Sequence, residues 1–79
     1  MDVYVNKVTV PYGGGLAVVA ANSVEEAHGT LLSRYKDSKN KWLNNWYANI
    51  YMPETWKRLG GVRVDSDVPY VLEESHYVE

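Results

Sequence analysis

The spacing of apolar side chains changes character once along this chain, between residues 16 and 35. Leu16-Ala17-Val18-Val19-Ala20-Ala21 is an unbroken apolar run, which suits a short strand covered on both faces. From Val24 onward the apolar positions fall at Val24, Ala27, Leu31, Leu32 and Tyr35, the stripe of a helix lying on a core. The switch falls at Asn22-Ser23, and Ser23-x-x-Glu26 is a capping box, so a helix is predicted from Ser23 to between Lys36 and Ser38. Gly29, inside that helix, hints at close approach of another element. Upstream, Asp2 to Tyr12 is rich in Val, Tyr and Thr, with Val3 and Val5 on one face and Tyr4, Val8 and Val10 on the other. Pro11 belongs at the end of that strand, Gly13-Gly14-Gly15 is predicted as a hairpin turn using positive φ, and Leu16 to Ala21 returns antiparallel.

Beyond the helix, Asp37-Ser38-Lys39-Asn40 breaks the pattern. Lys41 to Tyr51 then places apolar residues at 42, 43, 46, 47, 50 and 51, the rhythm of a short second helix or an ordered aromatic loop, ended by Pro53. Pro53-Glu54 opens a turn carrying Trp56, Gly60-Gly61 terminates it, and Val62 to Val64 reads as a short strand. Asp65 to Asp67 reads as a turn and Tyr70 to Val78 as a final strand, in which Glu73-Glu74 interrupts the alternation and implies a bulge or an exposed edge. No repeat or linker divides the chain. The expectation is a single α+β domain over residues 1–79, an antiparallel sheet in the order β-β-α-(short helix or loop)-β-β, with one main helix packed on one face.

Length sharpens this picture. A domain of 79 residues buries only roughly 60% of the surface its unfolded chain exposes, so a functional site is expected on a surface, in a shallow cleft or between subunits. The chain has no cysteine, which removes disulfides and thiolate metal sites. Neither a signal-peptide pattern nor an apolar stretch of membrane-spanning length occurs, and a cytoplasmic protein is the expectation. Seven Tyr and three Trp, with no Phe, give every large ring a polar handle suited to half-exposed positions. The net charge of −2 hides an uneven distribution: Arg34, Lys36, Lys39 and Lys41 cluster, and Asp65, Asp67, Glu73, Glu74 and Glu79 load the C-terminal end. That balance disfavours duplex nucleic acid and leaves a small anionic ligand open.

Catalytic chemistry has little to stand on. His28 and His76 are the only imidazoles, they lack HxH or HExxH spacing, and they would need Glu25, Glu73 or Glu74 to complete a metal site; both read as boundary histidines. The glycine triplet is followed by a strand and by no Lys-Ser/Thr, unlike a phosphate loop, and Ser23 reads as a cap and not as a nucleophile. A non-enzymatic protein is expected, with no catalytic residue, metal or cofactor. The one chemically rich constellation interleaves cations and amphipathic rings: Arg34, Tyr35, Lys36, Lys39, Lys41, Trp42, Trp46, Tyr47, Trp56, Lys57 and Arg58. It reads in three ways: a second small core fringed by lysines, a protein hot spot, or a stacking and phosphate-holding surface.

The N-terminal strand, the Gly-rich turn, the block Ala17-Val18-Val19-Ala20-Ala21-Asn22-Ser23-Val24-Glu25-Glu26-Ala27 and the closing Pro69-Tyr70-Val71-Leu72-Glu73-Glu74-Ser75-His76-Tyr77 resemble small proteins encoded by tailed phages. The resemblance implies an accessory factor that binds and inhibits a host defence protein. A homo-oligomer that sequesters a small nucleotide signal is the alternative, and a structural or assembly protein the third. It carries over no site residues. A homodimer is expected on separate grounds, from the small core and an unpaired final strand.

Overall fold

The computed structural model describes residues 1–11, 13–36, 45–46 and 49–78. Strands β1 (Asp2–Val10), β2 (Gly13–Ala21), β3 (Lys57–Arg63) and β4 (Tyr70–Val78) form one antiparallel sheet in the order β3-β1-β2-β4. Helix α1 (Val24–Lys36) packs on one of its faces, and a 3-10 turn at Pro53–Thr55 precedes β3. The fold is α+β. No helix among the described residues is long and apolar enough to cross a membrane.

The start of α1 follows from its capping residues. Ser23 Oγ accepts from Glu26 N–H at 3.1 Å and Ser23 O from Ala27 N–H at 3.0 Å, while Glu26 Oε1 reaches back to Asn22 N–H at 3.0 Å, one residue beyond the usual partner in a capping box. Ala27, Leu31 and Tyr35, four residues apart, form the buried stripe.

Register sets the two faces of the sheet. On the face toward α1 the rows across β1, β2 and β4 read Tyr4–Val19–Val71, Asn6–Ala17–Glu74 and Val8–Gly15–His76. The core joins Tyr4, Ala17, Val19 and Ala21 to Ala27, Leu31 and Tyr35 of α1 and to Tyr51 and Trp56. Tyr51 and Trp56 of the aromatic segment therefore belong to the main core. The buried Asn6 anchors the 3-10 turn, its amide nitrogen donating to Met52 O at 3.2 Å and its Oδ1 accepting from Thr55 Oγ1 at 2.8 Å.

Three glycine expectations are corrected. Val10 pairs directly with Gly13, so the chain reverses before the glycine triplet, which lies inside β2 with no positive φ. Space is the reason: a Cβ on Gly14 would stand 2.6 Å from Val8 O and 2.8 Å from the Tyr77 hydroxyl, and one on Gly15 would strike the Tyr51 hydroxyl and stand 2.7 Å from His76 Cδ2. Gly60-Gly61 does not terminate a turn either, but lies within β3. Asp2 pairs with Arg63 and Tyr4 with Arg58, so Leu59 to Val62 bows out opposite Val3 alone, and Gly61 at φ +80° supplies the left-handed residue of that excursion. Gly29 has nothing within 4 Å of its would-be Cβ, so no neighbour demands it.

The strand limits shift accordingly. β1 ends at Val10, and β3 begins at Lys57 and not at Val62, with Val64 joined to Met1 by backbone bonds at the sheet edge. The final strand runs over its expected span as an edge strand, and its irregularity is a bulge at Leu72, between the pairs Val18–Glu73 and Val19–Val71. Within the 41–51 segment, residues 45–46 and 49–50 are helical.

Candidate functional site

Two polar clusters sit on the α1 side of the sheet, each built around a histidine. Pairing with Ala17 and Gly15 turns Glu74 and His76 of β4 toward α1, and the missing side chain at Gly15 lets Tyr51 and the imidazole settle against β2. His76 Nε2 lies 2.9 Å from the Tyr51 hydroxyl and 3.3 Å from that of Tyr35, with both phenol rings edge-on to the imidazole. On the other side of the ring, Nδ1 is 3.8 Å from Glu74 Oε1, and Arg34 Nε is 3.6 Å from Glu74 Oε2. A carboxylate beside Nδ1 favours the ring proton there, which leaves Nε2 as the acceptor for tyrosine O–H.

Burial governs the protonation states. It raises the Tyr35 hydroxyl far above the ordinary phenol range, helped by the negative charge of Glu74 and opposed by Arg34. It also pulls His76 below the ordinary imidazole value, with Glu74 working the other way. Carboxylate, imidazole and hydroxyl stand in the order of a base-assisted nucleophile. The tyrosines, however, are 2% and 6% exposed, and Tyr35 holds its proton more tightly than a free phenol, the reverse of activation. What the arrangement does is tie the end of α1 and the chain at Tyr51 to one imidazole on β4.

The second cluster joins α1 to the start of β3. Trp56 Nε1–H donates to His28 Nδ1 at 3.0 Å with the rings edge-on, which places the His28 ring proton on Nε2. Among the described residues no group of three metal-ligating side chains gathers.

Among the described residues, those singled out from the sequence do not lie on one surface. Tyr35 and Trp56 are core residues, and Trp46 is half-buried in a helical stretch. Arg34 is exposed beside Glu74 of β4, whereas Lys57 and Arg58 are exposed on β3, at the opposite edge of the sheet, with Arg58 3.9 Å from Asp2. Lys39, Lys41, Trp42 and Tyr47 lie outside the described residues. Sequence reasoning missed Tyr51, Glu74 and His76 as a connected set, and Asn6 as the anchor of the 3-10 turn. Glu74 and His76, two apart in a strand, share a face legibly, but their tyrosine partners are 25 and 41 residues from His76 in sequence.

No protein-family model, curated protein or solved structure matches this chain, so no residue role comes from comparison.

Proposed function

We propose that this chain is a non-catalytic binding protein that acts by occupying a protein partner, through the outer edge of the sheet at β3. The observation that carries the reading is the excursion of β3. All seven of its residues are exposed, and it presents Leu59 and Val62, 42% and 45% exposed, between the cations Arg58 and Arg63. Apolar side chains framed by arginines are the usual makings of a protein hot spot. The groups best suited to acid-base chemistry support it from the other side, since His28 and His76 are both engaged in the core. Arg34 stands at the β4 edge of the sheet and Lys57, Arg58 and Arg63 at the β3 edge, which disfavours a single phosphate-holding pocket for a nucleotide. In its finer form the proposal is a phage-type accessory factor that binds and inhibits a host defence protein, and the sequence resemblance supports that form.

The test is affinity capture from a bacterial host lysate with the wild type, the pair Leu59→Asp with Val62→Asp, and Glu25→Arg on the exposed side of α1. Any protein retained is then purified and its binding measured. The expected result is equal affinity for wild type and Glu25→Arg and a loss of on the order of a hundredfold for the β3 pair. Equal binding by the β3 pair, or a melting temperature raised by a nucleotide in the absence of any protein partner, overturns the reading.

A further inference from the structure

We propose that the sheet face turned away from α1 is the interface of a homodimer, in which two sheets pack face to face about a two-fold axis parallel to their strands. This goes beyond the β3 reading and uses the face of the sheet, sharing with that reading only strand β3. Leu16, Val18 and Ala20 of β2 and Val3 and Val5 of β1 point to this far face, and none of them belongs to the core cluster under α1. Val3 and Ala20 are buried, whereas Val5, Leu16 and Val18 are half-exposed and Tyr77, beside Gly14, is 50% exposed. A strand apolar on both faces, with Val5, Leu16 and Val18 of one face left partly open to water, is the pattern of a sheet that has a second cover.

Charge identifies that cover as a second copy and selects the axis. One row across the whole sheet reads Lys57–Val5–Val18–Glu73, from the pairings of Val5 with Lys57, Val5 with Val18 and Val18 with Glu73. Both ends of this row are exposed. Its order is cation, valine, valine, anion. A two-fold axis parallel to the strands and passing between β1 and β2 lays Val5 over Val18 of the second copy and Lys57 over its Glu73, twice by symmetry. An axis across the strands would instead set lysine over lysine and glutamate over glutamate. That row is thus self-complementary about an axis along the strands and self-repelling about one that crosses them at the row, while the next row, Lys7–Leu16–Ser75, adds one exposed cation that the parallel axis lays over Leu16 of the second copy.

Area is sufficient for a reversible dimer. Four strands about 4.8 Å apart, three of nine residues and β3 of seven at about 3.3 Å each, cover about 540 Å², or about 1,100 Å² over two copies. Stable specific interfaces begin at about 1,200 Å², so a concentration-dependent association is expected and not a permanent one.

Sedimentation equilibrium from about 1 µM to about 1 mM, the range in which an interface of this size dissociates, tests the proposal on the wild type, Lys57→Glu, Glu73→Lys and the double variant. Both positions of change are exposed, and circular dichroism checks that the three variants fold. The expected result is a wild-type dimer, each single reversal weakening it on the order of tenfold and the double variant restoring it, because the swapped charges again face opposite partners. A wild type that stays monomeric throughout overturns the proposal. So does a dimer indifferent to both single reversals, or one that the double variant fails to restore. The capture experiment above reads different residues, so either proposal can fail alone.

Discussion

Gly15→Ala and Gly29→Ala are the same chemical change with opposite expected signs. At Gly29 the new methyl meets nothing within 4 Å, φ is already helical, and replacing glycine by alanine in a helix gains about 1 kcal/mol. At Gly15 the methyl strikes the Tyr51 hydroxyl and stands 2.7 Å from His76 Cδ2, so the two rings that share a 2.9 Å hydrogen bond must part. Overpacking costs about 1–3 kcal/mol and a lost buried hydrogen bond about 1 kcal/mol, for a total of about 2–4 kcal/mol. In a domain of this size 1 kcal/mol moves the melting temperature by about 4–8 °C, so Gly15→Ala should lower it by about 10–30 °C and Gly29→Ala should raise it. Urea unfolding followed by circular dichroism gives both free energies, and a Tyr51→Phe background adds the decisive control. Removal of the hydroxyl takes away one of the collisions, so the Gly15→Ala penalty should shrink there. A Gly15→Ala protein within about 0.5 kcal/mol of wild type, or a penalty unchanged by Tyr51→Phe, would refute the claim that the glycine is kept for space.

Three further outcomes follow from the helix cap, the buried imidazole and the buried phenol. Ser23→Ala removes the 3.1 Å acceptor of Glu26 N–H and should cost about 0.5–2 kcal/mol in urea unfolding; an unchanged midpoint would count against the cap. His76 is depressed in the folded state, chiefly by burial, so it stays neutral there while the unfolded chain takes up the proton; stability should be full above about pH 6.5 and decline as the pH falls below it. Unfolding free energies measured from pH 8 to pH 5 should slope less in His76→Gln, and an identical slope would remove His76 as the cause. At the alkaline end the raised Tyr35 acts in the opposite sense: stability is full below about pH 10 and declines above it, because the unfolded phenol ionises first.

Local rules determined a good part of this protein. The change from unbroken to helical apolar spacing, together with Ser23 and Glu26, locates β2 and α1, because capping and periodicity act over four or five residues and need no distant partner. The interruption at Glu73-Glu74 likewise announced an irregular edge strand, since an edge is where two adjacent charges are tolerated. Glycine was the point at which local reasoning failed. A glycine signals either a φ value or a lack of room, and only the neighbours distinguish the two: Gly14 sits in extended backbone against Tyr77 and Gly15 against Tyr51 and His76, whereas Gly61 takes positive φ. The candidate sites were decided still more completely by the tertiary structure. Whether Trp56 and Tyr35 face solvent or core, and whether Arg34 and Arg58 lie together or at opposite edges, depends on the strand order β3-β1-β2-β4, in which the last two strands of the chain flank the first two. That order is a long-range choice made by packing, and nothing within a few residues of any one side chain encodes it.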